Sequence, residues 1–114
     1  MTIIYQTGID TAADMYKMRN ASGTKKMTEC AGKKLLVAKI LRYSEADTNG
    51  GVRDAVRIMD TSGVIYATSS PSFIRSLDQI IAIFCQEYGE AVTSLDIISA
   101  TSRAGRQYLT CQPG

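Results

Sequence analysis

The chain has no histidine, which removes the commonest general base, the usual zinc ligand and the middle member of a serine triad. It also has no G-x-G-x-x-G, no Walker-type G-x-x-x-x-G-K and no H-E-x-x-H. The phosphate cradles and metal helices of nucleotide and protease chemistry therefore have no candidate. An enzyme would need a convergent cluster of Asp, Lys or Tyr that the sequence does not display, so the expectation is a protein with no catalytic residues, no metal and no cofactor. Long apolar runs are missing too. The longest, such as Ile80 to Cys85, fall far short of the roughly 18 residues that span a bilayer. The start Met1-Thr2-Ile3-Ile4-Tyr5 lacks the basic region and apolar stretch of a signal peptide, and a cytosolic protein without a membrane partner is expected. Cysteine is scarce: Cys30, Cys85 and Cys111 match no metal-ligand spacing, and any disulfide leaves one thiol over. Reduced, mostly buried thiols follow.

What remains is ordinary globular composition, 45% hydrophobic and 21% charged over 114 residues, which is enough for one domain with one core. Thirteen basic side chains against eleven acidic ones give a net charge of +2. A polyanion could bind a local basic patch, but the total does not require one.

The clearest element is a helix from Pro71 to Tyr88. Ser70 stands at the N-cap and Pro71 at the first helical position, where its missing N–H costs nothing. Phe73, Leu77, Ile80, Ile81, Phe84 and Tyr88 follow one buried stripe, while Arg75, Asp78, Gln79, Gln86 and Glu87 face water. Gly89 stops it. Three strands precede this helix. Lys34 to Tyr43 is rich in branched and aliphatic residues, and the loop Asp47 to Gly51 follows. Val52 to Met59 alternates, with Val52, Val56 and Ile58 on one face and Arg53, Ala55, Arg57 and Met59 on the other. The turn Asp60-Thr61-Ser62-Gly63 then leads into Val64 to Thr68. After the helix, Val92 to Ala100 and Gln107 to Cys111 form a second hairpin around Thr101 to Arg106.

The order is three strands, one helix, two strands. Five short antiparallel strands leave open edges unless the sheet closes, and closing it with the helix across one end gives an all-β, five-stranded OB-type barrel in the order β-β-β-α-β-β. The barrel domain is expected over 33–114. Residues 1–32 form an N-terminal extension packed on it, with a short helix at Asp10 to Asn20 capped by Asp10 or Thr11.

Several stretches resemble small phage single-stranded DNA-binding proteins. Val56 to Leu77, with its run I-M-D-T-S-G-V-I-Y-A-T-S-S-P-S-F-I-R-S-L, resembles the region where a strand, a D-x-S/G turn and a G-x-x-Y-S/A strand lead into the barrel helix. Lys17-Met18-Arg19-Asn20-Ala21 is similar to a K-x-x-N-A segment near the amino terminus of that family, and Thr101 to Arg106 is similar to its T-S-S-K-G turn. The likeness covers Thr11 to Gln112 and lies nearest to phages that replicate linear DNA by protein priming. It implies an OB-fold, a role in protecting displaced strands during phage replication, and residence in a host cytoplasm. Two departures stand out. Arg103 and Arg106 occupy a turn where one lysine is expected. No acidic tail like that of bacterial homotetrameric binding proteins follows Gln112-Pro113-Gly114, so recruitment through such a tail is not expected.

Binding an unpaired strand takes cations that follow phosphates and aromatic faces that stack on bases. Arg53 and Arg57, on one face of the second strand, are the first candidates, with solvated surface charge as the alternative. Tyr66, Tyr43 and Tyr108 are the candidate stacking residues, each with a core role as its alternative. Arg103 and Arg106 could close over a strand from the last hairpin, or remain a solvated loop. Lys39 and Arg42 alternate faces, so at most one joins the groove, and Lys39 is the candidate. Lys25, Lys26, Lys33 and Lys34 add long-range attraction. Single-stranded DNA is the expected partner and single-stranded RNA the second; oligomeric state is left open, a homo-oligomer included. The competing reading is a protein-binding OB module, such as a phage inhibitor of a host factor or a structural subunit.

Overall fold

The computed structural model describes Met1–Gly114. Seven strands and two helices build a mostly β, curled, barrel-like molecule: β1 (Thr2–Thr7), α1 (Ala12–Asn20), β2 (Lys25–Lys26), β3 (Lys34–Ala46), β4 (Val52–Asp60), β5 (Ile65–Thr68), α2 (Pro71–Ile81), β6 (Ser94–Thr101) and β7 (Gln107–Pro113). A 3-10 turn over Met27–Cys30 follows β2. No helix is long and apolar enough to cross a membrane.

The five expected strands and the main helix are all present, and the first thirty residues add two strands and a second helix. The sheet runs β2-β5-β4-β3-β6-β7, with β1 also on β3. The geometry turns on the 13-residue β3. One of its edges carries β4 from Val37 to Ala46, extended by a bond from Thr61 N to Leu36 O. The other edge is shared, with β6 on Lys34 to Leu36 and β1 on Ile40 to Ser44. A β-bulge at Ala38 bends the strand between the two halves. Gly8 (φ +71) comes so close there that a Cβ would sit 2.5 Å from Ala38 O.

The β4–β5 hairpin turns as its sequence predicts. The Asp60 carboxylate accepts from Ser62 N, Ser62 Oγ and Val64 N at 2.7 to 3.0 Å. Burial alone would raise its pKa, but these bonds outweigh it and hold the carboxyl below the usual range.

No ladder joins β5 to β7. Between them, Ser72 Oγ of α2 donates to Leu109 O at 2.6 Å and Ser76 shares a 2.7 Å bond with Thr110. On the other side, β2 pairs parallel with β5, and the 3-10 turn after it buries Met27 and Cys30 in the main core. The N-terminal residues are thus woven into the barrel wall, where the sequence suggests an appendage.

Two cores result. Inside the curl, 17 buried residues join Leu35, Ile40, Val56, Ile58, Leu95, Ile97 and Leu109 to the inner stripe of α2. Outside, Leu41, Tyr43, Ala55, Met59 and Ile65 are covered by Met18 of α1. Lys34 to Tyr43 is apolar on both faces, and such a strand needs cover on both. Full burial of Met18 contributes roughly 1.5–3 kcal/mol. Thr11 caps α1 by accepting from Asp14 N at 3.1 Å.

One sequence expectation for α2 is corrected. Ser70 caps it and Pro71 starts it, but beyond Ile81 the chain widens into a π-type turn over Ala82–Glu87, with Tyr88 N bonded to Ile83 O at 3.2 Å. The extra residue per turn shifts the stripe. Tyr88, expected in the core, is therefore 72% exposed.

Candidate functional site

The expected face divides at the register of β4 and β5. Arg57 lies opposite Ala67, whereas Ile58 lies opposite Tyr66. Direct cross-strand partners share a face, so Tyr66 sits on the inner wall with Ile58, on the far side of the sheet from Arg53 and Arg57. Its ring packs on the main core. Burial, then the neighbouring Cys30, raises its hydroxyl pKa. The sequence leads one to expect Arg53, Arg57 and Tyr66 together on one hollow wall of the sheet, and the register corrects that expectation.

The outer face is not open along its length, because α1 lies on it. Arg57 Nη1 donates to Met18 O at 3.1 Å and Arg19 O at 3.0 Å, which places a cation at the carboxy-terminal end of α1, where it offsets the helix dipole. Arg57 Nε donates to Tyr43 Oη at 3.4 Å, and Tyr43 is buried. Tyr43 is therefore a core residue with its hydroxyl at the rim, the alternative named above. Lys39 Nζ donates to Gly8 O at 2.8 Å and lies 3.7 Å from the Asp14 carboxylate. Lys39 thus holds down the N-terminal segment instead of lining a groove. The Asp14 carboxyl is held below its usual range, first by the Asp10 N–H and then by Lys39 among others.

An open groove remains at the end of the sheet nearest the start of α2. A cleft of about 440 Å³ between β4 and α2 is lined by Arg42, Val52, Arg53, Asp54, Ser69, Pro71, Ile74, Arg75 and Asp78. A second cleft, of about 230 Å³, holds Tyr43, Arg53, Ala55, Arg57, Ala67, Thr68 and Ser69. They meet at Arg53 and Ser69. Four arginines and two aspartates line the pair. Both aspartates bind Arg42, whose Nε donates to Asp78 Oδ1 and Nη1 to Asp54 Oδ1, each at 3.1 Å. Tyr5 Oη adds a bond to Asp78 at 2.8 Å. Burial and then the Asp78 bond push the Tyr5 hydroxyl pKa far up. Arg53 is exposed and pairs with Glu45 at 2.6 Å, a water-screened contact whose hydrogen bond raises the guanidinium pKa. Arg75 is exposed and has no ion-pair partner.

The helical stripe puts Arg75 on the watery side of α2. No spacing could link it to Arg53, because only the packing of α2 on β4 makes them neighbours. Arg103 and Arg106 stand exposed on the last hairpin, which Gly105 (φ +80) turns through a bond from Gly105 N to Ser102 O at 2.9 Å. Tyr108 is 42% exposed and lines a separate cleft of about 320 Å³ with Thr28, Ala31, Ser99, Gln107 and Leu109. Of the eight candidates, Arg53, Arg57 and Tyr43 meet in one cleft; Tyr66, Lys39, Tyr108, Arg103 and Arg106 lie outside it.

Comparison with protein-family models, curated proteins and solved structures finds no match to this chain.

Proposed function

We propose that the protein is a non-catalytic binder of single-stranded nucleic acid, with single-stranded DNA as the ligand expected from its resemblance to phage replication proteins. The observation that carries this reading is the groove where the β4 and α2 clefts meet. Its two carboxylates are already bound to Arg42 and Arg57 is spent on the end of α1, leaving Arg53 and Arg75 as the charges available to phosphates. Arg53 and Arg75 can turn toward a strand at little structural cost, because one is held only by an exposed ion pair and the other by none.

The strand order adds support. With β1 and β2 set aside, the remaining strands are neighbours in the order β5-β4-β3-β6-β7, with α2 between the third and fourth along the chain. This order is what an OB-type barrel would need, with the 3-10 turn and α2 lying in the gap between β5 and β7, and it supports that reading of the curled sheet. OB barrels present oligonucleotides to the second and third strands and the adjoining loops, here β4 and β5.

Fluorescence anisotropy with labelled oligo-dT and a matched duplex tests the reading. Single strands should bind preferentially, and log K should fall with log salt by about 0.7 per phosphate contacted. Arg53→Ala with Arg75→Ala should reduce that slope by about 1.4 if each holds one phosphate. Equal binding to duplex, or salt-independent binding, would refute the function.

A further inference from the structure

The smaller arginine cleft, beside Arg57, has a low floor made by Ala55 and Ala67, and register shows what stands beyond it. Ala67 lies opposite Arg57 in the β4–β5 ladder and opposite Lys26 in the parallel β5–β2 ladder. Partners in register on neighbouring strands share a face, so Arg57, Ala67 and Lys26 form one row across the outer face. Lys25 lies opposite Tyr66, which packs on the main core, and so belongs to the inner side. Met27 agrees, because alternation returns it to the side of Lys25, and it is fully buried in the main core. Two adjacent lysines of equal charge are thus set on opposite faces by a two-residue strand.

Lys26 also lies clear of α1. Strand β5 runs from Ile65, which α1 covers, to Thr68, which borders the open cleft. Because β2 runs parallel to it, Lys26 is displaced from Lys25 in the direction away from α1. Lys26 is exposed and has no ion-pair partner. The nearby Glu29 carboxylate accepts from its main-chain N–H at 3.2 Å instead. Lys26 stands two strand intervals, about 10 Å, from Arg57, and Arg53 is four residues farther along β4, about 13 Å. The diagonal from Lys26 to Arg53 is therefore about 16 Å. Between its ends lie only the alanine floor and Arg57, whose guanidinium is engaged by the end of α1.

We infer that Lys26 is a direct phosphate contact, and that the bound strand runs from the groove of Arg53 and Arg75 slantwise over the alanine floor to β2. Cations at the two ends of this path hold phosphates, while the small side chains between them leave room for a sugar or a base. Lysine suits the outer end, because a point charge on a flexible stem can meet a phosphate from many directions. The N-terminal segment thereby becomes part of the binding surface. This assignment rests on the single-strand binding proposed above. It makes Lys26 a contact and leaves Lys25 a contributor to the general field alone.

Salt titrations of oligo-dT binding, followed by anisotropy, separate the two proposals. Lys26→Ala should lower the slope of log K against log salt by about 0.7, the value for one single-strand phosphate. Lys25→Ala should leave the slope unchanged, and Lys26→Arg should keep the parent value. Added to Arg53→Ala and Arg75→Ala, Lys26→Ala should bring the loss of slope to about 2.1 if the three contacts are independent. Saturating oligo-dT should protect Lys26, and not Lys25, from acetylation read by mass spectrometry. Both alanine variants should keep the parent thermal midpoint, which verifies that neither acts through the fold. If the two variants lower the slope equally, or neither does, while Arg53→Ala with Arg75→Ala lowers it, Lys26 is no contact and the binding function stands. If the parent shows no preference for single strands over duplex, both proposals fall.

Discussion

Replacing Arg42 by methionine tests whether the ionic network holds β1, β3, β4 and α2 together. Arg42 is the one charged side chain buried in the molecule. It donates to Asp78, Asp54 and the Tyr43 carbonyl at 3.0 to 3.1 Å. Burial alone would lower its pKa, but the hydrogen bonds to Asp78 and Asp54 outweigh it and raise the pKa instead. Stranding the partner of a fully buried ion pair costs about 3–5 kcal/mol. That figure is too large here, because the Asp78 and Asp54 side chains are 41% and 57% exposed and can rehydrate where they stand. Methionine fills the volume of the stem and removes a desolvated charge, a further offset. What remains is about 2 kcal/mol, the worth of one hydrogen bond to a charged group. For a chain of this size that lowers Tm by roughly 6–12 °C. Urea and thermal unfolding of Arg42→Met, Asp78→Asn and the double variant should give a coupling energy of about 1 kcal/mol or more. Stability of Arg42→Met within about 0.5 kcal/mol of the parent would mean that desolvation cancels the bonds and would refute the reasoning.

Asp60→Ala should cost about 1–2 kcal/mol by removing the three bonds of the β4–β5 turn. Because the folded Asp60 pKa is depressed, its contribution is present above the unfolded carboxylate value and is lost as pH falls through the folded one; the parent should therefore lose more stability than Asp60→Ala below about pH 4 in acid titrations followed by circular dichroism. Gly8→Ala should destabilise by more than about 1 kcal/mol, since it combines positive φ with a Cβ clash at Ala38 O; an unchanged urea midpoint would contradict the tight β1–β3 crossing. Only Cys85 should react rapidly with a thiol reagent at neutral pH, because Cys30 and Cys111 are buried and burial pushes the Cys111 thiol up to about 12. Two fast thiols under native conditions would show that the core opens.

Local chemistry made the middle of the chain legible. The Ser70-Pro71 start, the Asp60 to Gly63 turn, the alternation of Val52 to Met59 and the glycine turn at 105 each depend on a few adjacent residues, and each forms as read. Periodicity failed at Tyr88, where a π-type turn shifts the phase of the helix without any mark in composition. The first thirty residues were the hardest to read, because their structure comes from distant partners: β1 exists through β3, β2 through β5, and α1 through an outer face that Leu41, Met59 and Ile65 make apolar.

The sequence alone determined which residues turn, cap, and alternate, and that cations sit on one side of β4. Only the tertiary structure decided which of those cations are free. Arg57 and Lys39 serve the N-terminal segment, and Tyr66 falls on the inner wall because register, set by pairing across the hairpin, assigns its face. Arg75 joins Arg53 because a helix packs against a strand some twenty residues away. Alternation within a strand is a local property of the backbone, whereas the choice between phosphate and protein as a partner for a guanidinium depends on what the rest of the chain brings beside it.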